Sequence, residues 1–475
     1  MIKKWIFLAC ILFMSFIPNS MEGTEGKNEY GNLSEMPIEM VVSRRMSIRQ
    51  YYLNTTVPPE LVSKVRWAAY GYSWVGRTVP SLSGYPIVIY VSNETATYKF
   101  VAENRSLTFW KEGDYRGLGP GSGWSYDAPI QLYIVLDTNI GGTLGSDILW
   151  GNAEAGCAIQ NIYLMANALN LGTVCTYPNR TDIYQGLGLP ANEEVLYKMP
   201  LGYPLPPLVN YQNLVSTFRP SSLELPEIQD SNVSIDVALD SISSSHDWSN
   251  NPVTRQEVSQ VLWASYGYSY YEDTAASPPI RHRTVPSAHD YYPMKVYAVA
   301  SSGVYEYLPE QHTLTTIVTG DRRPSIAQAS GNAWASSAPL IVALAYVEDS
   351  RPWIGGEETY VELGLIAQNV YLESATWGLT ADWGKANTNE EAMREALGLT
   401  GQTQLHPTSI VAVGHPSLPT DLNRDGVVNI LDISRIARAF GSQPWQPRWN
   451  GMDDLNRDGI IDILDISLVA KDFNR

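Results

Sequence analysis

Two stretches of this chain carry the same segments in the same order, and a duplication on that scale limits the fold more than any other feature of the sequence. The first copy reads LVSKVRWAAYGYS, RTVPS, GYP, APIQLYIVL, EAGCAIQNIYLMANALNLG and MPLGYP; the second reads EVSQVLWASYGYS, RTVPS, YYP, APLIVALAY, ELGLIAQNVYLESATWGLT and VAVGHP. Trp67 thus matches Trp263, Arg77 matches Arg283, Pro80 and Ser81 match Pro286 and Ser287, and Gln160 and Asn161 match Gln368 and Asn369. The offset grows from 196 to about 207 through an insertion near residues 271–280. Segments around 61–70 and 154–169 carry apolar residues at helical spacing, whereas 86–91 and 130–136 read as strands. Each copy is therefore an α+β unit, one over 36–204 and the other over 236–417. The stretch 205–235 between them is rich in Pro, Ser, Asn and Leu; it is not purely polar, so it is expected to wrap against the body rather than dangle.

The tail, residues 420–475, holds a second and smaller repeat. Asp421, Asn423, Asp425, Asn429 and Asp432 fall at positions 1, 3, 5, 9 and 12 of a loop with Gly426 at the turn, and Asp454, Asn456, Asp458, Asp462 and Asp465 repeat the pattern 33 residues later around Gly459. A hard cation takes six or more oxygens at short range, and this spacing curls the side chains inward while the carbonyls of Val427 and Ile460 add a backbone ligand. Two Ca2+ ions are expected. Each loop precedes apolar residues at helical spacing: Ile433, Ile436, Ala437 and Phe440, then Ile466, Val469, Ala470 and Phe473. A true EF-hand has a helix before the loop and usually Glu at position 12; here a Pro-containing stretch leads in and Asp ends the loop. The tail therefore resembles a type I dockerin, a small all-α calcium-binding module. That resemblance implies a cohesin-bearing partner, met by the residues at loop positions 10 and 11, which are Ile430, Leu431, Ile463 and Leu464. The alternative is that these four residues are core of a purely structural calcium clip.

Lys3 and Lys4, the 13-residue apolar stretch from Trp5 to Ile17, and then Pro18, Asn19 and Ser20 form the charge, core and exit pattern of a secretory signal. The core is shorter than the roughly 20 residues that span a bilayer. The expectation is a signal peptide over 1–23, no membrane span after its removal, and a secreted or surface-associated protein. Formal net charge is −17, of which the last 55 residues supply only −2, so the acidity lies in the body and nucleic acid is not an expected partner. Cys10 lies in the apolar core of the signal. Cys157 and Cys175 remain, which excludes a disulfide scaffold and a multi-cysteine metal cluster and leaves open whether those two pair. Six Asn-x-Ser/Thr sequons, at Asn32, Asn54, Asn93, Asn104, Asn179 and Asn232, would permit glycosylation of an exported chain.

The body repeats resemble the FMN-dependent nitroreductase fold, especially its SagB-like dehydrogenase branch. The pieces that carry the likeness are RRMSIRQY at 44–51, the helix ending WAAYGYS, the RTVPS segment before YP, and the helix with QN in its middle. Such proteins are homodimers with flavins bound across the interface, so two copies in one chain imply a single-chain pseudo-dimer. The family's Arg-x-Ser-x-Arg element, which holds the flavin phosphate, falls on Arg45, Ser47 and Arg49; guanidinium forks suit a phosphate because they deliver charge and paired donors together. The second copy has SISSSHDW at 241–248, without arginine. The Pro-Ser segment reaches the flavin of the other subunit, so the resemblance implies one FMN site combining Arg45, Ser47 and Arg49 with Pro286 and Ser287. The basic residue that many relatives carry after the last strand is missing after MPLGYP. The implied function is an exported FMN-dependent oxidoreductase tethered through a dockerin. The rival is a non-catalytic flavin- or ligand-binding protein of the same fold.

Other motifs carry less. GLGPGSG at 117–123 lacks the Lys-Ser/Thr of a nucleotide cradle and reads as a loop. Glu154 and Glu362 stand where the matching helices are expected to start, which makes them candidates for favourable charges at a positive helix end, with acid catalysis as the alternative. His289 and Asp290 follow the second Pro-Ser pair and read as loop polarity or as substrate-orienting groups.

Overall fold

The computed structural model describes residues 36–73, 76–119, 128–140, 147–205, 225–273, 280–423, 427–443, 446, 448–456 and 458–474. The proposed signal peptide and most of the insertion near 271–280 lie outside them.

The first half runs α1 (Ile38–Ser43), α2 (Pro59–Tyr70), β1 (Ile87–Ser92), β2 (Ala96–Val101), β3 (Ser106–Glu112), β4 (Ile130–Asp137), α3 (Asp147–Ala168), β5 (Gly172–Thr173), α4 (Arg180–Leu187) and β6 (Glu193–Gly202). Its six strands form one sheet in the order β3-β2-β1-β4-β6-β5. The second half begins with α5 (Ile235–Ser241), α6 (Arg255–Tyr266) and a short ribbon, β7 (Tyr268–Asp273) with β8 (Ile280–Arg283). It continues through β9 (Met294–Ala300), β10 (Gly303–Leu308), β11 (Thr313–Thr319), α7 (Arg323–Ser330), β12 (Leu340–Val347), α8 (Glu357–Thr376), β13 (Thr380–Lys385), α9 (Glu390–Leu397) and β14 (Leu405–Gly414). Its sheet order, β11-β10-β9-β12-β14-β13, repeats the first. Even the irregularities match. The first sheet shifts register at Thr97/Tyr98 and Ile134/Val135, and the second at Val304/Tyr305 and Leu344/Ala345. Antiparallel strands whose apolar residues are covered on both faces, such as β4 and β12, place the sheets in the interior.

The halves meet through α3 and α8, which are buried on nearly every side, as a helix at the centre of a large core must be. They cross at matching glycines, Gly156 and Gly364, where backbone meets backbone. Beyond the crossing lies a buried amide quartet. Gln160 Nε2 donates to Asn369 Oδ1 (2.8 Å) and to the carbonyl of Thr284 (3.2 Å); Gln368 Nε2 donates to Asn161 Oδ1 (2.9 Å) and to the carbonyl of Thr78 (3.0 Å). Asn161 also holds the carbonyl of Ala68 (2.8 Å), and Asn369 that of Ala264 (2.7 Å). Each half thereby anchors the other's Arg-Thr-Val-Pro-Ser strap, and buried amides of this kind are retained only when paired. The two halves form a single-chain pseudo-dimer.

The described part of the connecting stretch does wrap. The Leu225 amide donates to the carbonyl of His312 (3.2 Å), Gln229 exchanges hydrogen bonds with Gln260, and Ser231 donates to Glu39. Cys157 and Cys175 are free thiols; Cys157 Sγ lies 3.3 Å from the carbonyl oxygen of Gly364.

Among the described residues the tail contains two helices, α10 (Ile430–Ala439) and α11 (Ile463–Asp472), which pack together and bury Ile433, Ile436, Ile466 and Val469. Reciprocal bonds at a 33-residue spacing, Asn474 to Val428 (2.7 Å) and Gly441 to Ile461 (2.8 Å), tie the loops together. Phe440 and Phe473 lie just past the helix ends, so they do not extend the helical stripes. Arg435 Nη2 and Asn450 Nδ2 reach Ser241 Oγ of the body, at 3.5 and 3.3 Å.

Candidate functional site

The segment after α1 places three of the expected residues. Arg45 is 3% exposed; its Nη2 donates to the carbonyl of Arg283 in the other half (3.2 Å), and its guanidinium lies 5.5 Å from the centre of the Tyr163 ring. Its Nε and Nη1 have no hydrogen-bond partner among the described residues. Burial lowers its pKa, while the hydroxyls of Tyr292 and Tyr163 and the carboxylate of Asp290 act in the opposite sense. A buried cation with two idle donors is a costly arrangement that an anion would relieve. Ser47 Oγ shares a hydrogen bond with Tyr163 OH (3.2 Å), which accepts the Cys175 amide (2.7 Å). Arg49, four residues on, is exposed.

The second half keeps this frame without its charge. The Ile48 amide donates to the carbonyl of Thr173 (2.9 Å) and the Ser245 amide to that of Ala381 (3.3 Å); Ser47–Tyr163 recurs as Ser244–Tyr371 (3.2 Å). By that register Ile242, 3% exposed, stands where Arg45 stands, and His246 where Arg49 stands. His246 pairs with Asp382 (2.8 Å).

The structure brings the Arg45 guanidinium to the second half's strap but does not aim every expected group into open space. Arg283 is enclosed by the rings of Tyr266, Tyr268 and Tyr292 and donates to the carbonyl of Tyr266 (3.0 Å); Arg77 sits likewise among Tyr70, Tyr72 and Tyr85. Pro286 and Ser287 follow Arg283 and are half-buried. Ser287 Oγ accepts the Tyr292 amide (2.9 Å) and bonds to Glu362. The turn after it holds His289, Asp290 and Tyr292 at positive φ (57°, 55° and 55°), and the His289 ring lies tilted against that of Trp353, their centres 4.6 Å apart. Non-glycine residues at positive φ are sterically costly and persist only where their surroundings impose them. The cleft lined by Ser287, Tyr291, Trp353 and Glu362 has a volume of about 10 Å³.

Glu154 and Glu362 correct a sequence expectation. Helix α3 starts at Asp147 and α8 at Glu357, so neither carboxylate is at a helix start. Both are buried and turned onto the Pro-Ser straps. Glu154 Oε1 accepts Ser81 Oγ (2.9 Å) and the amides of Leu82 (2.6 Å) and Ser83 (2.5 Å). Glu362 accepts Tyr266 OH (2.5 Å) through Oε1 and meets Ser287 through Oε2; burial pushes its pKa up to about 7. In both copies the acid stands two residues before the glycine at which the central helices cross, but nothing in the sequence says what it touches.

In the tail, Asp432 and Asp465 close their loops identically. Asp432 accepts the amides of Leu422 (2.7 Å), Asn423 (3.1 Å) and Asn429 (2.7 Å); Asp465 accepts those of Leu455 (2.8 Å), Asn456 (3.2 Å) and Asp462 (2.8 Å). Asn429 and Asp462 cap α10 and α11. Gly459 has φ 85°, as the turn position requires, and Asp425 and Gly426 lie outside the described residues. Asp454 Oδ2 accepts the Gly459 amide (2.8 Å), and Asp458 Oδ1 that of Ile460 (2.9 Å), bonds within the loop that leave each carboxylate further lone pairs; among the described residues no group of three His, Cys, Asp or Glu is gathered closely enough by itself to hold an ion. The donor chemistry nevertheless suits a hard cation: burial, then the neighbouring charges of Asp465 and Asp458, raise the Asp454 pKa, and an ion would offset that repulsion. Asn429 Nδ2 already donates to the Val427 carbonyl (3.1 Å). Ile430, Leu431, Ile463 and Leu464 are 52%, 49%, 42% and 53% exposed, so they are not core; Val427 and Ile460 join them at 46% and 38%.

The duplicated α/β halves and the loop-helix pair define the class, and the comparisons agree with it. The model of the nitroreductase family matches residues 42–203 and 243–415, and that of the dockerin type I domain matches 419–474. The chain belongs to the nitroreductase family and carries a C-terminal dockerin domain. It is similar to the putative nitroreductase MJ1384 of Methanocaldococcus jannaschii, 29% identical over 204 residues, which is 40% of this chain and 95% of that one. Among solved structures it is similar to a putative nitroreductase from Anabaena variabilis, at 15% identity and a TM-score of 0.58, over 77% of this chain and 90% of that one. At that identity the likeness shows the fold alone.

Proposed function

We propose that this chain is an exported FMN-dependent oxidoreductase with one flavin site, attached through a calcium-loaded dockerin to a cohesin-bearing partner. The observation that carries the flavin reading is Arg45: buried, with two idle N–H donors, and in contact with the other half's strap, while Ile242 takes its place in the second half. Flavin, when bound, would supply hydride transfer at its N5 position. In this reading Arg45 holds the phosphate charge with help from Arg49 and Ser47, and Pro286 and Ser287 line the site from the second half. The tail would bind two Ca2+, with the exposed Ile430, Leu431, Ile463 and Leu464 forming the cohesin face. The rival reading is a non-catalytic member of the same fold. Flavin released per purified chain separates them. A ratio near one supports the proposal, a ratio near two means that the second half also binds, and a colourless protein that takes up no added FMN overturns it.

A further inference from the structure

Both halves fix their Pro-Ser strap with a buried carboxylate on the central helix, but the two attachments differ. In the first half Ser81 Oγ is saturated: it donates to Glu154 and accepts the amides of Ser83 (3.2 Å), Gly84 (2.8 Å) and Tyr85 (3.1 Å). Glu154 Oε1 takes two amides as well, so the first strap is held through its backbone. In the second half, among the described residues, Ser287 Oγ accepts only the Tyr292 amide, and Glu362 binds hydroxyls rather than amides, those of Ser287 and Tyr266. Tyr266 OH in turn accepts the Met294 amide (3.2 Å), so Glu362 links α6, the strap and the start of β9. A hydroxyl has one hydrogen and two lone pairs, and the carboxylate it faces decides which way that hydrogen points. The strap with this adjustable serine is the one that Arg45 touches.

We propose that Glu362 is a positioning residue for the anion- and flavin-binding site that Arg45 would form with the second half's strap, setting the Ser287 hydroxyl and the turn behind it, whereas Glu154, in the matching place, has a structural role only. The inference rests on the single-site flavin reading. It assigns different consequences to two carboxylates that the sequence presents as equivalents. Glu362 acts through Ser287 and the 288–292 turn, whose positive-φ residues return to ordinary backbone geometry once the clamp is loosened.

The test compares the full-length chain with its E362Q, E362D, Y266F and E154Q variants. FMN titration followed by flavin fluorescence gives affinity and environment, and hydrogen exchange follows the amides of residues 287–292 and 82–85. E362Q should weaken FMN about tenfold, as expected for loss of one buried charge-assisted hydrogen bond. It should also alter the bound-flavin spectrum and speed exchange at Tyr292. E362D should recover part of the affinity, and Y266F should shift it in the same direction as E362Q. E154Q should speed exchange at Leu82 and Ser83 and leave FMN affinity unchanged. Equal FMN affinity for wild type and E362Q, or equal losses in E362Q and E154Q, would overturn the inference while leaving the flavin reading intact. Failure of the wild-type chain itself to bind FMN would overturn both.

Discussion

Gly156 and Gly364 face each other at the crossing of the two central helices so closely that a Cβ on Gly364 would stand 1.7 Å from the Ala153 carbonyl oxygen, and one on Gly156 2.2 Å from that of Val361. Backbone on both sides leaves nothing flexible to yield. Gly364→Ala should therefore cost about 3 kcal/mol or more, at the upper end of overpacking penalties, because the helices must separate. Gly156→Ala should behave alike. Denaturant unfolding measures both, and a loss under about 1 kcal/mol would show that the crossing can slide.

The amide quartet predicts that neither half stands alone. A fragment covering 36–204 would expose α3 and leave Gln160 and Asn161 without their partners across the interface. Expressed separately, it should aggregate or self-associate. A well-folded monomeric fragment in sedimentation would contradict this.

Arg45→Ala should weaken FMN at least tenfold, since a charge-assisted contact to phosphate contributes roughly 1.5–3 kcal/mol. Arg49→Ala should weaken it less, because Arg49 is exposed, and His246→Ala should leave it unchanged. Titrations of the three variants rank these effects directly.

Buried carboxylates where α1, α6 and α8 meet carry a pH dependence of their own. Lys64 of the first half pairs with Asp236 of the second at 3.7 Å; in the matching arrangement Gln260 of the second half replaces Lys64, and Glu39 of the first shares its neighbourhood with Glu373, both buried. Burial raises the Glu39 pKa to about 7 and raises that of Glu373 well above the ordinary range, with the charge of Glu39 adding to the latter. The folded state therefore holds protons that the unfolded chain has released. The associated stability is fully present below about pH 4.5 and is lost as pH rises through about 7. At pH 8 and saturating calcium, Glu373→Gln should stabilise the chain by roughly 1–3 kcal/mol, since the amide oxygen can still accept from Gln260 and Trp377. Flat stability from pH 5 to 8 would refute the argument.

Chelating calcium should lower helicity by an amount attributable to the tail and abolish cohesin binding, because crowded loop carboxylates repel without an ion. Circular dichroism and a pull-down with and without chelator decide it. Leu431→Asp or Leu464→Asp should weaken binding by more than about 1 kcal/mol without lowering helicity.

Much of this architecture was legible because duplication repeats its own evidence: each strand, helix and strap could be checked against its twin. The loss of charge between Arg45 and Ile242, the exposed Ile-Leu pairs and the wrapping linker were all readable from residue type and order. The role of Glu154 and Glu362 was not. A helix covered on all sides has no polar face, so apolar periodicity cannot mark where it begins, and α3 starts seven residues before Glu154. What those carboxylates touch depends on tertiary placement. The links from Gln160 to Asn369 and from Arg45 to Arg283 likewise join residues more than 200 positions apart, beyond the range of any local pattern.

The wrapped connection also changes the mass action of pairing. Two separate subunits find each other at a rate and extent set by how many there are, and dilution parts them. Here residues 225–235 bind the second half's His312 and Gln260 on one side and the first half's Glu39 on the other, so each half meets its twin at a fixed effective concentration. Pairing becomes independent of abundance. The two twins also no longer have to be identical, so one can lose an arginine while the other retains it.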